Sequence, residues 1–205
     1  MEIQEALNEI RKQKKRKFNQ TVELIINLKK INLKKDNINT IIRLPNKYKE
    51  KKICGFLTKK SPLIDVILPN EFQKYKDKKL LKKLAKEYDF FLAFVQLMPS
   101  IAGTFGKVLG PSGKMPSPQL GILTKEDDAT IKENIEKINL SIKINVKEMS
   151  IKAPVGKESM QDKELIENIL AFYKGIVEVL PTKKENIRSI MIKTTMGKPV
   201  KFEIK

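Results

Sequence analysis

Two kinds of apolar patterning divide the chain, and their order constrains the fold more than any other feature. Apolar and polar residues alternate over residues 18–44 and 140–205, as expected of strands that bury one face. Residues 51–139 instead carry short, nearly continuous apolar runs separated by helical patterns, which is typical of parallel strands covered on both faces. Because the alternating pattern lies on both sides of the segment with continuous apolar runs, we expect a discontinuous outer domain, residues 1–50 and 140–205, with an inserted domain at 51–139.

The same periodicity predicts the individual elements. In the outer domain the expected order is a helix at 2–16, strands at 18–28, 38–44, 140–146 and 149–153, a helix at 161–179, and a strand at 187–193 before a final one. Residues 154–157 are expected to form a turn. The inserted domain is expected to be an open α/β sheet, with strands at 53–57, 63–68 and 90–95 and helices at 71–88, at 98–109 and after Thr124, the predicted N-cap.

The stretch 97–123 is rich in turn-forming residues. It holds five of the nine glycines and four of the ten prolines, and it has no acidic residue. Lys107 and Lys114 place positive charge beside backbone that glycine leaves accessible. This composition predicts an ordered loop for close approach of an anionic group, with a proline-rich linker as the alternative.

The charge balance favours a polyanionic partner. The chain has 42 basic and 24 acidic residues and a net charge of +18. The excess is spread over the whole sequence, at +7 for residues 1–50, +6 for 51–140 and +5 for 141–205. Nucleic acid is the first partner to consider and an anionic membrane the second, while a solvated lysine-rich surface accounts for part of the excess.

The residue types argue against an enzyme, a metal site or a cofactor. There is no histidine, and the one cysteine, Cys54, lies in an apolar run. The phosphate-binding P-loop pattern G-x-x-x-x-G-K-[ST] is not met around Gly113-Lys114, because Val108 stands in place of its first glycine and Met115 in place of its Ser or Thr. The adjacent Asp127 and Asp128 suit helix capping better than catalysis. No apolar run approaches 18 residues and the N-terminus has no signal-peptide pattern, so we expect a cytoplasmic protein that does not enter a membrane.

Four blocks of the sequence resemble the family of the universal large-subunit ribosomal protein "L one", the protein of the mobile ribosomal stalk. They occur in the family's order over nearly the whole chain: Lys17–Glu23, Leu97–Pro99 with Val108–Pro116, Ala153–Lys157, and Ser189–Gly197. The Lys-Met-Pro within the second block is typical of archaeal and eukaryotic members.

The resemblance implies a fold and a function. The implied fold class is α/β with two domains, a discontinuous two-layer α+β domain and an inserted three-layer Rossmann-like domain without a nucleotide. The implied function is a constituent of the large ribosomal subunit that binds stalk ribosomal RNA and assists release of exit-site transfer RNA. Many members also repress translation by binding the leader of their own messenger RNA. Off the ribosome the protein is expected to be a monomer.

The resemblance also implies an RNA-binding surface on the outer domain. Phe18 would pack against a sugar–base surface, Gly197 would admit the RNA backbone, and Glu23 would accept from a 2′-hydroxyl or a guanine edge. The full expected set is Lys17, Phe18, Thr21, Glu23, Ser189, Thr195, Met196 and Gly197. Without the resemblance, Phe18 could be a core residue, residues 195–197 a simple hairpin turn, and residues 14–17 a solvated helix end.

A secondary RNA contact is expected at Lys107, Gly110, Gly113, Lys114 and Lys157. Two departures from the family bear on it. Ser112 stands where the family usually has a basic residue, and the chain is short between Leu57 and Ile64, where a helix is expected. The alternative functions are a nucleotide- or nucleic-acid-modifying enzyme that uses the insert, and a general basic RNA chaperone.

Overall fold

The computed structural model describes residues 1–14, 16–32, 38–146 and 148–204, with the backbone alone for Lys76. Lys15, within the predicted first helix, lies outside the described residues. The chain forms two compact units. We call Met1–Lys49 with Leu140–Lys205 the outer unit, and Glu50–Asn139 the inserted unit.

The described elements follow one another in a mixed α/β order. The helices are α1 Ile3–Lys12, α2 Lys78–Glu87, α3 Met98–Leu109, α4 Asp128–Leu140 and α5 Asp162–Val179. The strands are β1 Thr21–Leu28, β2 Asn39–Arg43, β3 Ile53–Phe56, β4 Asp65–Ile67, β5 Phe90–Phe94, β6 Ile122–Leu123, β7 Ser141–Asn145, β8 Ser150–Lys157, β9 Ile187–Thr194 and β10 Val200–Phe202. Short 3₁₀ helices occur at Pro69–Lys76, Val95–Leu97 and Lys183–Asn186.

The outer unit is built on an antiparallel sheet with strand order β10-β9-β1-β8. Alternation along β1 buries Val22, Leu24 and Ile26 in a core that also takes in Phe172 of α5 and Leu7 of α1. The opposite face of β1 is only half-buried. A second antiparallel pair, β2 with β7, contributes to the same core. Among the described residues no helix covers the opposite face of the main sheet, as the alternating pattern predicts.

The predicted turn at 154–157 is wrong, because β8 runs on to Lys157. Strand β8 lies at the edge of the sheet, where a proline is tolerated since its missing N–H is not needed on the outer side. A register shift opposite Val22 and Glu23 accommodates the extra residue. Gly156 is required by packing, since a Cβ there would collide with the Leu165 side chain of α5.

The first helix and the first strand are both shorter than the sequence predicts, by several residues each. Helix α1 ends at Lys12 and not at residue 16, and β1 begins at Thr21 and not at residue 18. Phe18 shares the sequence parity of the buried residues, but it precedes the strand and 55% of its surface is exposed. The core interpretation of Phe18 is therefore wrong.

The inserted unit is built on a parallel sheet with strand order β4-β3-β5-β6. The two central strands bury nearly every residue, as their continuous apolar runs predict. A cluster of aromatic rings fills one side: Phe56 stacks on Phe91 with centroids 5.6 Å apart, and Phe105 of α3 lies 4.7 Å from Phe56. Burial raises the pKa of the Cys54 thiol in this core to about 12, with Asp65 adding to the effect.

Three predictions for the inserted unit need correction. Only Asp65–Ile67 of the predicted strand 63–68 pairs, because β4 is an edge strand, and Leu63 is exposed. The predicted helix 71–88 is broken at Asp77, which ends a 3₁₀ helix and caps α2. Helix α4 begins at Asp128, so Thr124 is not its N-cap. Helix α3, at Met98–Leu109, is confirmed, and so is the α/β fold class.

Candidate nucleic-acid interface

The segment before β1 and the turn after β9 are tied together by one buried side chain. Gln20 is almost fully buried, and its Oε1 accepts a hydrogen bond of 3.1 Å from the backbone N–H of Met196. Its Nε2 lies 3.3 Å from Glu158 Oε2. Because a buried amide must satisfy both ends, Gln20 positions the turn against the strand that follows it.

Thr195 reinforces the same junction. Its backbone N–H donates to the Thr21 carbonyl at 3.0 Å, and its hydroxyl donates to that carbonyl at 3.2 Å. The hydroxyl also accepts from the Thr21 N–H at 3.3 Å. The predicted residues Thr21 and Thr195 are thus adjacent, and the Thr195 side chain extends the β1–β9 pairing by one step.

Gly197 is confined by the protein itself. A Cβ at this position would collide with the Thr194 hydroxyl and would lie 2.6 Å from Gln13 Oε1. Gln13 in turn bridges to the backbone of Lys198, donating to its carbonyl at 3.0 Å and accepting from its N–H at 2.8 Å. Internal packing therefore requires a glycine here, whether or not an RNA backbone also approaches.

Two large apolar side chains stand exposed beside this junction, in a basic setting. Phe18 is 55% and Met196 is 61% exposed. A cleft of about 510 Å³ beside Phe18 is lined in part by Arg11, Arg16 and Lys17. A second cleft, of about 560 Å³, is lined by Lys14, Arg16, Met196, Gly197 and Lys198, among others. Arg16 lines both clefts, so the two apolar side chains belong to one basic surface.

The negative charge of Glu23 is paired with a lysine on the neighbouring strand. Its carboxylate lies 3.5 Å from the ammonium of Lys193, the residue opposite it on β9. That ammonium also donates to the Thr195 carbonyl at 3.4 Å. Lys193 therefore offsets the repulsion that Glu23 would exert on a phosphate and leaves a carboxylate oxygen able to accept a hydrogen bond.

Ser189 lies apart from the rest of the predicted set. It is opposite Asn27 in the sheet and accepts a hydrogen bond of 2.9 Å from the Asn27 side chain. Asn27 is six positions from Thr21 along β1, or about 20 Å along a strand. The predicted residues are therefore distributed along the open sheet face and are not gathered at one point.

The residues of the predicted secondary contact are divided between the two units. Lys157 belongs to the outer unit, opposite Thr21 on β8, while Lys107, Gly110, Gly113 and Lys114 belong to the inserted unit. The Lys114 ammonium donates to the carbonyls of Ala85 and Tyr88 at 2.7 and 2.8 Å, so it caps the end of α2. Lys107 and Gly110 are exposed, and Gly113 takes a φ of 71° that favours glycine.

A polar pocket of about 510 Å³ in the inserted unit lies at the amino ends of the parallel strands. Ile53, Asp65 and Tyr88 are among its lining residues. Burial and a hydrogen bond of 2.9 Å to Asp65 raise the pKa of the Tyr88 hydroxyl. Nucleotides bind open α/β sheets at the opposite, carboxyl ends of the strands. The pocket therefore does not favour the Rossmann-type enzyme alternative.

The described part of the chain offers neither a metal-ligand cluster nor a membrane span. In the described ranges, no group of three or more cysteine, aspartate or glutamate side chains could hold a metal ion. Nor does any helix among the described residues have the length and apolar character needed to cross a membrane.

The sequence indicates a basic segment at residues 11–17, which includes Arg16, but it does not indicate the roles of Gln13, Gln20, Lys193 and Lys198 in building this surface. One signal for Gln20 was present, since it is the single polar residue on the apolar parity of residues 18–28. The bridge from Gln13 to Lys198 joins residues 185 positions apart, so it has no local sequence signal.

The fold and this surface define a two-unit α/β protein with a basic, partly aromatic face on its outer unit. The sequence model of the ribosomal protein L1p/L10e family matches residues 10–198. The chain is 36% identical to the large ribosomal subunit protein uL1 of Nanoarchaeum equitans, covering 96% of this chain and 97% of that protein. It is 35% identical to uL1 of Thermococcus kodakarensis (97% and 95%) and 32% identical to uL1 of Cenarchaeum symbiosum (98% and 95%). The chain belongs to the ribosomal protein L1p/L10e family, and the relatives just named are archaeal, in line with the Lys-Met-Pro signature.

Proposed function

We propose that this chain is a constituent of the large subunit of the cytoplasmic ribosome and binds stalk ribosomal RNA through its outer unit. Similarity to uL1 proteins over nearly the full length of both chains supports the ribosomal role. The observation that carries the RNA-binding role is the pair of exposed apolar side chains, Phe18 and Met196, joined by the basic clefts that share Arg16.

The chemistry of this surface suits a structured RNA. An exposed aromatic ring stacks on a base or packs on a sugar, and the surrounding cations neutralise phosphates. The open sheet face adds Glu23, Thr195 and Ser189, whose oxygens accept from 2′-hydroxyls or base edges. The internal bonds of Gln20 and Gln13 hold the turn in place before RNA arrives, so little ordering is required on binding.

Two further roles extend this proposal. The chain assists release of exit-site transfer RNA while it is bound to the stalk, and it represses its own translation by binding the leader of its messenger RNA. Both follow from the family resemblance, and the repression requires only that the leader present a site like the stalk RNA. The protein acts by binding and not as an enzyme, which agrees with the names of the relatives and with the position of the inserted-unit pocket.

The test compares binding of a stalk ribosomal RNA fragment with binding of a scrambled RNA of equal length across a salt series. Wild-type protein should keep a preference for the stalk fragment at high salt. Phe18→Ala should weaken stalk binding by about 5- to 150-fold, the range for loss of one aromatic stacking partner. Because Phe18 is exposed, the variant should fold normally.

Val179→Ala is the matched control, since Val179 is a partly exposed apolar residue at the end of α5. It should leave both affinities unchanged. Equal wild-type affinity for the two RNAs would overturn the specific-site proposal and favour a general chaperone. Hydrolysis of a nucleotide by the pure protein would instead favour the enzyme alternative.

A further inference from the structure

Helix α2 presents a face made almost wholly of lysine. Its sequence buries Leu81, Leu84 and Ala85 against the inserted-unit core. The remaining face carries five exposed lysines, Lys78, Lys79, Lys82, Lys83 and Lys86. Positions three and four apart lie on one side of a helix, so these ammonium groups form a continuous stripe about 12 Å long. We call these five residues the α2 lysine face.

The positive charge of this face is offset within the helix by one acidic residue alone, Glu87, so five lysines and one glutamate leave α2 with a net charge of +4. The acidic residues near its start are used elsewhere: the Asp77 side chain accepts from the Lys79 backbone N–H at 2.9 Å, and Glu71 pairs with Lys74 at 3.5 Å. Among the described residues, no ion pair engages the five lysines. Helix α4 of the same unit differs, since Lys137 pairs there with Glu133 at 2.6 Å. The charge of α2 therefore remains available to a partner.

The α2 lysine face adjoins the glycine-rich turn of the predicted secondary contact. The Lys114 ammonium binds the Ala85 and Tyr88 carbonyls, which flank Lys86 in sequence. This places the turn at 110–114 beside the last turn of α2. Gly113 has no neighbouring atom that would touch a Cβ, so its backbone is open to close approach. The lysines and the open turn thus make one surface.

An anionic membrane fits this surface less well than a nucleic acid. A membrane-binding amphipathic helix inserts its apolar face into the lipid. The apolar face of α2 is already buried in the protein core, and Leu80 is the one large apolar side chain exposed along the described helix. The lysines are also all ammonium groups, which act as point charges and lack the planar fork with which arginine reads a base.

We propose that the α2 lysine face binds the phosphate backbone of RNA without reading its sequence, as a second contact independent of the outer-unit surface. The proposal rests on the proposed RNA-binding function and deepens it. The flexible four-carbon stems let each ammonium group follow the backbone without fixed register, and each phosphate contact releases condensed counterions. The face therefore adds affinity and salt dependence, while specificity resides in the outer unit.

The test uses the triple variant Lys78→Gln, Lys82→Gln and Lys86→Gln in the full chain. Glutamine has nearly the helix propensity of lysine, so α2 should persist. Affinity for the stalk fragment and for the scrambled RNA is measured between about 50 and 300 mM salt. The slope of log affinity against log salt should become shallower by about 2, since each lost phosphate contact contributes about 0.7–0.9. Both RNAs should lose affinity by the same factor.

The matched control removes three exposed lysines from elsewhere in the same unit, by Lys59→Gln, Lys125→Gln and Lys132→Gln. It lowers the net charge equally and should leave the slope within about 0.5 of wild type. An unchanged slope in the α2 variant, or the same change in the control, would overturn the proposal. Binding of wild type to anionic phospholipid vesicles that the α2 variant loses would assign the face to membranes and overturn it as well.

The two proposals fail in distinguishable ways. If wild type does not prefer the stalk fragment but the α2 variant still shows a shallower slope, the specific-site proposal fails and the lysine face stands. If Phe18→Ala abolishes the preference and the α2 variant leaves the slope unchanged, the lysine face fails and the specific site stands.

Discussion

Gly197 and Gln20 make internal contacts of the protein, and both also help to form the candidate RNA surface. Gln20 occupies a buried position in which its amide holds the Met196 N–H, and Gly197 leaves room for the Thr194 hydroxyl and Gln13. The contacts by which these two residues fix the exposed turn are therefore made within the protein and need no bound ligand. Phe18 and Met196 differ, since little in the protein requires large apolar side chains at such exposed positions.

Gly197→Ala should destabilise the outer unit even without RNA. The added Cβ would collide with the hydroxyl of Thr194, which is buried and has little room to move, so we expect a loss of about 1–3 kcal/mol. Urea unfolding followed by circular dichroism measures the loss. Gly103→Ala is the control, because an added Cβ there would have no described atom within 4 Å and α3 should gain about 0.5–1 kcal/mol. Unchanged stability of Gly197→Ala would mean that RNA approach alone requires the glycine.

At the scale of elements, α2 shows how a single residue divides a continuous helical pattern. The apolar periodicity runs through residues 71–88, but the helix breaks at Asp77, whose backbone is extended and whose side chain accepts from Lys79 N–H. The break converts one predicted helix into a 3₁₀ helix and a separate basic helix. Asp77 also places a negative charge at the positive end of the α2 dipole, which stabilises a helix otherwise crowded with like charges.

Asp77→Ala should weaken α2 by about 1 kcal/mol, the usual cost of losing a side-chain N-cap. Hydrogen exchange of the α2 amides is the measurement, since it reports opening of this helix separately from global unfolding. Asp77→Asn should retain most of the protection, because asparagine also caps well. Equal protection in all three proteins would show that tertiary packing of Leu81 and Leu84 alone sets the start of α2.

At the scale of the whole molecule, the outer unit is assembled from two separated parts of the chain. Its core joins residues from both parts, such as Leu24 with Phe172. The Leu44 N–H, five residues before the unit boundary at Lys49, donates to the Leu140 carbonyl at 2.7 Å, so the chain leaves and re-enters the outer unit at nearby points. An insertion between nearby points costs the host little loop-closure entropy beyond that of a short turn.

A chain in which Lys49 is joined to Leu140 by a short glycine linker should therefore fold as the outer unit alone. We expect a single cooperative urea transition and retained preference for the stalk RNA fragment, with weaker salt dependence because the α2 lysine face is gone. The control is the same chain carrying Phe18→Ala, which should fold but lose the preference. A non-cooperative transition would show that the outer unit needs the insert.

The sequence alone determined the local and periodic features of this protein. The alternating pattern of β1 and β9 predicts a sheet with one buried face, and the continuous run at 90–95 predicts a strand buried on both faces, which the structure shows for Phe90–Phe94. The helix expected around residues 98–109 agrees with α3. These features depend on the spacing of apolar side chains, which a chain carries before it folds.

The tertiary structure decided where the periodic pattern stops and which distant residues meet. Phe18 continues the parity of β1, yet it is exposed because no described partner strand extends that far. The turn expected at 154–157 is a strand because β1 supplies hydrogen-bond partners to an edge strand that tolerates Pro154. The pairing of Gln13 with Lys198 and the capping of α2 by Lys114 join residues far apart in sequence. Such contacts depend on the packing of whole elements, which no local pattern encodes.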